Sequence, residues 1–205
     1  MIEFAFNSLV TLLVVVDPPG LAPIFAALTR GYSEKRKRET AIRGVFVGTI
    51  ILLIFAFVGD VLLGALGISL AAFRIAGGIL LFILALDMIF GSPRGVRARS
   101  IQEQEEDDYS QDVTVFPLAI PLLAGPGAIA TVLLYTGGRE PAEIALFIVV
   151  LLFVLLLTLA ALLLAPKIMD LMGETGANVL SRVLGVVIAA LAVQFVLDGV
   201  SASLA

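Results

Sequence analysis

The first apolar segment of the chain is interrupted by the residues Val14-Val15-Val16-Asp17-Pro18-Pro19-Gly20-Leu21-Ala22-Pro23. The segment covers residues 2–29 and is long enough to cross a bilayer as a helix. Proline removes a backbone donor and clashes with the preceding turn, so the helix must break or kink here. An ionisable side chain at membrane depth is costly and marks a functional site by default. We therefore expect a broken membrane helix that carries a site at Asp17.

The composition is that of a membrane protein. Hydrophobic residues make up 60% of the 205 residues, charged residues 15%, and the mean hydropathy is +1.10. Soluble domains are about 45–50% apolar and about 25% charged. The chain has no Cys and no His, which excludes thiol chemistry and the usual ligands of zinc, copper and haem. We expect a protein that is not an enzyme, holds no cofactor and does not bind nucleic acid.

Six segments are apolar and long enough to span the membrane as helices. They cover residues 2–29, 41–64, 69–91, 114–137, 142–166 and 179–202. A basic loop, residues 30–39, joins the first two, and a polar loop, residues 92–113, joins the third and fourth. This predicts a first three-helix repeat at 1–91, a cytoplasmic loop at 92–113 and a second three-helix repeat at 114–205.

The basic residues lie mostly on alternate loops. The connections after the first, third and fifth segments hold eleven of the 13 Lys and Arg residues, and the other side holds two. By the positive-inside rule, these three connections are cytoplasmic and both termini are extracytoplasmic. We predict a multi-pass membrane protein with this orientation. The eleven residues are Arg30, Lys35, Arg36, Lys37, Arg38, Arg43, Arg94, Arg97, Arg99, Lys167 and Arg182, and the two are Arg74 and Arg139.

The second half of the chain repeats landmarks of the first. Pro126-Gly127 follows Pro19-Gly20 by 107 residues, and Arg182 follows Arg74 by 108. Each half holds three predicted spans, so the second half must enter from the opposite side. The predicted fold is therefore an all-α membrane protein with six transmembrane helices in an inverted 3+3 repeat. Helices 1 and 4 are broken at mid-membrane, where such folds place their substrate.

The two predicted breaks form the candidate substrate site. A half-helix that begins at a break directs its positive N-terminal end into the gap, which suits a carboxylate. Asp17 can pair with an ammonium or a coupling cation, carry a proton, or cap the helix that follows. Its counterpart at the offset of 107 is Ala124, so only the first break carries a charge. A kink that only shapes packing is the alternative. The site residues are Asp17, Pro18, Pro19, Gly20, Ala124, Gly125, Pro126 and Gly127.

Four charged residues on the third and sixth spans form a second group, which we expect to be structural or gating. If these spans are antiparallel neighbours, Arg74 meets Asp198 near the outer face and Arg182 meets Asp87 near the inner face. Gly77, Gly78 and Gly185 are expected to let the helices pack closely. Other polar side chains on the two broken segments are expected to bond helix to helix more often than they contact a solute. These are Asn7, Ser8, Thr11, Thr29, Thr131, Tyr135 and Thr136.

Further motifs complete a resemblance to the MarC family of integral membrane proteins, over essentially the whole chain except residues 92–113. Besides residues 17–23, they are Gly67-Ile68-Ser69-Leu70, Phe73-Arg74-Ile75-Ala76-Gly77-Gly78, Pro117-Leu118-Ala119-Ile120-Pro121-Leu122, Ala124-Gly125-Pro126-Gly127-Ala128-Ile129, Ala192-Val193-Gln194-Phe195 and Asp198-Gly199. The resemblance implies a six-span inner-membrane protein of the LysE-like superfamily. Some members of the family are described as transporters of small neutral amino acids such as alanine and glycine.

Together these features predict a secondary transporter of small neutral amino acids that works by alternating access around the two breaks. Its partners would be the amino acid and the lipid bilayer. A coupling H⁺ or Na⁺ and a homo-oligomeric state are left open. One alternative is a cation or other small-solute exporter or channel, in which Asp17 coordinates the cation. The other is a membrane scaffold that transports nothing.

Overall fold

The structure is a computed structural model that describes residues 1–29, 31–90 and 114–204. Within these ranges the chain forms helices joined by short turns, and no strand occurs. The all-α prediction is therefore confirmed for the described part of the chain. The predicted polar loop at 92–113 lies outside the described residues.

The first half contains four helices, because the first predicted span is two elements. They are α1 (Ile2–Val16), α2 (Pro18–Leu28), α3 (Glu34–Ala65) and α4 (Leu70–Phe90). The second half begins with a π-helix (Thr114–Leu123), followed by α5 (Pro126–Thr136), α6 (Pro141–Leu163) and α7 (Ala165–Leu204). The backbone of α7 is not helical at Gly173, where φ is 63° and ψ is 176°.

Five helical stretches among the described residues are long and apolar enough to cross a membrane. They are Ile2–Ala26, Glu34–Ala65, Leu70–Phe90, Pro141–Leu163 and Arg182–Leu204. The fourth predicted span, 114–137, consists instead of two short helices of 10 and 11 residues. Neither reaches the roughly 20 residues that a single crossing needs. The chain is thus a multi-pass membrane protein.

The prediction of a basic loop at 30–39 is wrong from Glu34 onward, since α3 begins there. Ser33 caps the helix by accepting a hydrogen bond on Oγ from the Arg36 N–H, at 3.3 Å. One turn in, Lys37 Nζ lies 2.8 Å from Glu34 Oε1. A capped first turn with acid before base is a helix start that hydropathy alone does not detect. The predicted connection 167–178 is likewise within α7 and is interrupted only at Gly173.

Helices α4 and α7 pack against each other in antiparallel fashion through glycines. A Cβ added at Gly78 would lie 2.7 Å from the carbonyl oxygen of Ala192 and 2.8 Å from Val196 Cγ2. At the other end, Gly185 packs against Ala85 and Met88 in the same way. Gly77 lies against Ala130 of α5. The predicted role of these glycines in close helix packing is confirmed.

One face of the bundle gathers the start of α1 with the ends of α3, α5 and α7. The Gly138 N–H donates to Asp60 Oδ2 at 3.3 Å, which joins the turn after α5 to the end of α3. The guanidinium of Arg139 lies 5.2 Å from the centre of the Phe4 ring. Near the end of α7, Gly199 packs on Ala71 at the start of α4. We call this end of the bundle the Phe4 face.

The glycine contacts predict that Gly78→Ala destabilises the protein, although alanine is the better helix former. The new methyl group meets the Ala192 backbone, and overpacking of this kind costs about 1–3 kcal/mol. Gly64→Ala is the matched control because the same Cβ would meet nothing within 4 Å. There the higher helix propensity should add up to about 1 kcal/mol. Thermal unfolding in detergent, followed by circular dichroism, should shift in opposite directions. Equal shifts would contradict the packing argument.

Candidate functional site

Asp17 forms the junction between α1 and α2. Its φ is 52° and its ψ is 62°, and no other described non-glycine residue has a positive φ. Aspartate is among the few residues that adopt this left-handed conformation readily. The Asp17 N–H donates to the Leu13 carbonyl and the Asp17 carbonyl accepts from the Leu21 N–H, both at 3.0 Å. One residue therefore ends the first helix and starts the second.

The Asp17 side chain is 0% exposed and caps α2. Its Oδ1 accepts a hydrogen bond from the Gly20 N–H at 3.0 Å, as an N-cap aspartate does. Pro18 and Pro19 have no N–H to offer. With the Leu21 N–H bonded to the Asp17 carbonyl, every donor in the first turn of α2 is satisfied. The Asp17 side chain thus caps the start of α2, which is one of the roles predicted for it from the sequence.

Pro18 and Pro19 also leave carbonyl oxygens at the end of α1 without their usual helical donors. In a continuous helix the carbonyls of Val14 and Val15 would receive hydrogen bonds from residues 18 and 19. These are prolines, so both carbonyls lack that partner. The Gly20 N–H, which would serve Val16, is bonded to Asp17 instead. Three successive carbonyl oxygens therefore end α1 next to a buried carboxyl group, and their partners must come from elsewhere in the protein, from water or from a ligand.

The second break has a different chemistry. The π-helix ends at Leu123, and the Ala124 N–H still donates five residues back, to the Ala119 carbonyl at 2.9 Å. Helix α5 begins at Pro126 with Gly125 as N-cap and has no side-chain cap. Its first backbone bond is that of the Ile129 N–H to the Gly125 carbonyl, at 3.0 Å.

Two N–H groups precede that first bond, those of Gly127 and Ala128. As the first donors of the helix, they have no acceptor within α5 itself. They lie at the positive end of α5, where free N–H groups and the helix dipole both favour an anion. The carbonyl oxygens that end α1 and the N–H groups that start α5 are thus the candidate polar groups of the site.

Both breaks belong to one buried core. It includes Val16 and Leu21 beside the first break, Ala124 and Ala128 at the second, and Leu81 of α4. Helix α2 packs on α6 and α7, and α5 packs on α3 and α4. A Cβ added at Gly127 would lie 2.6 Å from Leu81 Cδ2, so the second break lies directly against α4. Of Pro126, only the backbone at the start of α5 is described.

The four charged residues predicted on the third and sixth spans lie at two ends of the α4–α7 pair. Arg74 and Asp198 lie near the Phe4 face, where Gly199 packs beside Arg74 Cβ. Asp198 Oδ1 accepts a hydrogen bond from Gln194 Nε2 at 2.7 Å. Asp87 and Arg182 lie near the other end, flanking the contact of Gly185 with Ala85. Their gating role stays a prediction.

The structure also pairs two residues that the sequence indicated only as helix-to-helix bonding groups. The hydroxyls of Thr11 on α1 and Tyr135 on α5 are 2.9 Å apart. The Tyr135 ring stacks on Phe147 of α6 at a centroid distance of 5.3 Å. The sequence gives no spacing that relates Thr11 to Tyr135, since the two are 124 residues apart. No group of three or more acidic residues that would hold a metal occurs among the residues described.

Comparison with known proteins gives a family match over nearly the whole chain. The family model described as "MarC family integral membrane protein" matches residues 2–204. A UPF0056 membrane protein of Archaeoglobus fulgidus is 36% identical over 205 residues, covering 99% of this chain and 95% of its own. Another, from Methanocaldococcus jannaschii, is 36% identical over 98% of this chain and 96% of its own. One from Escherichia coli is 33% identical over 95% and 91%. No solved structure matches.

The Asp17 cap predicts different outcomes for two substitutions. Asp17→Asn keeps an acceptor oxygen and a side chain that tolerates the left-handed conformation, so stability should change little. Asp17→Ala removes the acceptor for the Gly20 N–H and should cost about 0.5–2 kcal/mol. The measurement is thermal unfolding of both variants in the same detergent, by circular dichroism. If the two unfold at the same temperature, the Gly20–Asp17 bond does not stabilise the junction.

Proposed function

Because the chain belongs to the MarC family, we propose that it is a secondary transporter of small neutral amino acids such as alanine and glycine. It works by alternating access around the two helix breaks. The observation that carries this proposal is the carboxyl group of Asp17, which is 0% exposed at an interruption of an apolar span. A buried ionisable group is expensive in a membrane and is found where a transport pathway needs it.

The helix packing supports an inverted 3+3 repeat. If α1, α2, α3 and α4 correspond to the π-helix, α5, α6 and α7, each extensive contact has a counterpart. The packing of α2 on α7 matches that of α5 on α4, and α3 on the π-helix matches α6 on α1. The packing of α2 on α6 likewise matches α5 on α3. In this proposal the π-helix and α5 together form the fourth of six spans, broken at mid-membrane like the first.

The two ends of a neutral amino acid suit the two breaks. We assign its carboxylate to the N–H groups of Gly127 and Ala128, at the open start of α5. Its ammonium group would bind the Asp17 carboxyl group and the carbonyls that end α1, at Val14 to Val16. Pro18, Pro19 and Gly20 shape the first break, and Ala124, Gly125 and Pro126 the second. The apolar surroundings, which include Leu81, favour a small uncharged side chain.

Asp17 can also take the coupling ion, since a carboxyl group accepts a proton and its oxygens with backbone carbonyls suit Na⁺. The charged residues at the two ends of the α4–α7 pair would help to open and close the access routes. By the distribution of Lys and Arg, we assign the Phe4 face to the extracytoplasmic side. From the family resemblance, we assign the protein to the inner (plasma) membrane.

A second candidate function, export or channelling of a cation, is favoured by the oxygens of the first break alone. Three carbonyls and a carboxyl group are hard ligands of the kind that Na⁺ or Ca²⁺ prefers. In that case the N–H groups of the second break would have no part in binding. Transport assays separate this function from amino-acid transport.

The proposal predicts counterflow of labelled alanine in proteoliposomes, and its loss in Asp17→Asn. Loss is expected because the amide no longer attracts the ammonium or binds a proton. Glu34→Gln is the matched control, since that carboxyl group is exposed and bonded to Lys37 within the first turn of α3. It should keep flux within about twofold, because surface charges couple weakly to a buried site.

Three outcomes would contradict the assignment. Saturable flux that is unaffected by Asp17→Asn would remove Asp17 from the site. Flux of a cation from a tested panel, with none of alanine, would favour the second candidate. No flux of any solute by a folded protein would favour a scaffold.

The open start of α5 predicts that Gly125→Ser raises the KM for alanine by about tenfold or more, the effect of losing charge-assisted hydrogen bonds. A serine at the N-cap accepts from the N–H groups that the solute carboxylate would otherwise use. Stability should be unchanged or slightly raised, because serine is a preferred N-cap residue. The measurements are the concentration dependence of alanine flux and thermal unfolding. A raised KM together with lower stability would indicate damage to the fold rather than competition for the N–H groups.

A further inference from the structure

The Thr11 hydroxyl differs from the other buried hydroxyls in its bonding. Each of the others with a described bond donates to the carbonyl four residues earlier in its own helix, at 2.7–2.9 Å. These are Ser8, Thr29, Thr131, Thr136 and Thr158. Thr11 instead bonds to Tyr135, at 2.9 Å and 124 positions away in the chain. A hydroxyl that donates to a carbonyl of its own helix links no other element, whereas the Thr11–Tyr135 bond links α1 to α5.

Aromatic contacts fix the ring of Tyr135 on both sides. It stacks on Phe147 of α6, with an interplanar angle of 9°. It also meets Phe4 of α1 at a centroid distance of 5.7 Å, tilted by 58°. The hydroxyl thus sits at the end of a ring that is positioned by two helices and bonded to Thr11.

These contacts are layered from the Phe4 face inward. Outermost is Arg139, whose side chain is 38% exposed, with its guanidinium above the Phe4 ring and 3.5 Å from Glu143. Below it lie the rings of Phe4 and Tyr135, and below these the hydroxyl of Thr11. Ser8 lies between Phe4 and Thr11 on the same side of α1 and is 0% exposed. Beneath these layers, Ser8 and Thr11 are buried at the seam between α1 and α5.

We propose that Tyr135 closes a gate at the Phe4 face, and that its contacts with Thr11 and Phe147 stabilise the closed state. We call Tyr135 the latch of this gate. The inference rests on the proposed function, since alternating access requires a seam between the two halves of the chain to open on one face at a time. Helix α1 belongs to the first half and α5 to the second, so their seam is such a place. Opening moves the Tyr135 hydroxyl away from Thr11 and exposes the seam down to Ser8.

The latch is specific to one face. At the offset of 107 residues that relates the two breaks, the counterpart of Tyr135 is Leu28. Leucine has no hydroxyl, so the equivalent seam on the opposite face cannot close in the same way. The two access routes are therefore controlled by different chemistry, in accord with the different charges of the two breaks.

The absence of cysteine from the sequence permits a direct test, because Ser8→Cys adds the only thiol. Labelling of this introduced thiol by a membrane-impermeant thiol reagent is measured in vesicles of both orientations. With Tyr135 intact we expect slow labelling from the Phe4 face. Adding Tyr135→Phe, which keeps the ring, should accelerate labelling at least about fivefold, as expected for the loss of one net hydrogen bond from the closed state. Thr11→Val should have the same effect.

Two controls separate a latch from general loosening. Combining Tyr135→Phe with Thr11→Val should label no faster than either alone, because both remove one bond. Thr158→Val removes a buried hydroxyl that bonds within α6 and should leave the rate unchanged. Acceleration by Thr158→Val equal to that by Tyr135→Phe would overturn the proposal, and so would an unchanged rate in Tyr135→Phe.

The labelling needs no substrate, so its failure is distinguishable from that of the proposed function. Accelerated labelling without alanine flux would support the gate and require a different solute. Alanine flux that depends on Asp17, with labelling unaffected by Tyr135→Phe, would support the transporter and remove Tyr135 as its latch.

Discussion

A buried carboxyl group in an apolar helix must find its partners in the protein, and Asp17 finds one three residues further along its own chain. The bond from the Gly20 N–H is available only because the two prolines before it break the helix and because residue 20 has no side chain. A Cβ at Gly20 would collide with the Asp17 carboxyl group. Asp17, the two prolines and Gly20 therefore form one structural unit. The prolines end α1, the Gly20 N–H bonds to the carboxyl group, and the missing side chain of Gly20 leaves room for that group.

Because of this unit, the two breaks differ in the backbone groups that lack a partner in their own helix. At the first break the start of α2 is neutralised by Asp17, and the groups without a partner in their own helix are the carbonyls that end α1. At the second, Gly125 supplies no side chain, and the corresponding groups are the N–H groups that start α5. A site built from both offers acceptors on one side and donors on the other. A zwitterion carries the complementary groups, whereas a simple cation uses only half of such a site.

Much of this arrangement could be predicted from the sequence because it depends on local chemistry. Proline next to glycine in an apolar span predicts a break, although Pro23 continues within α2, and Asp beside a break predicts a cap. The hydropathy pattern misses the start of α3 because Ser33 and Glu34 oppose that pattern, and capping prevails over it. The pairing of Thr11 with Tyr135 is beyond such prediction, since the two are 124 residues apart and meet only through the packing of α1 on α5. Sequence patterns specify what a residue can bond to within one helix and say little about partners in others.

For the gate that we propose, a hydroxyl bond suits the requirements of alternating access better than an ion pair would. The closed and open states must differ by no more than a few kcal/mol, or one of them would not be populated. A hydrogen bond between neutral groups contributes about 0.5–1.5 kcal/mol net, and an aromatic pair about as much. A buried ion pair would contribute little, because the cost of removing two charges from water offsets most of their attraction. The charged groups of this region, Arg139 and Glu143, accordingly lie at the exposed rim. The neutral contacts lie inside, where they can break and form again at small cost.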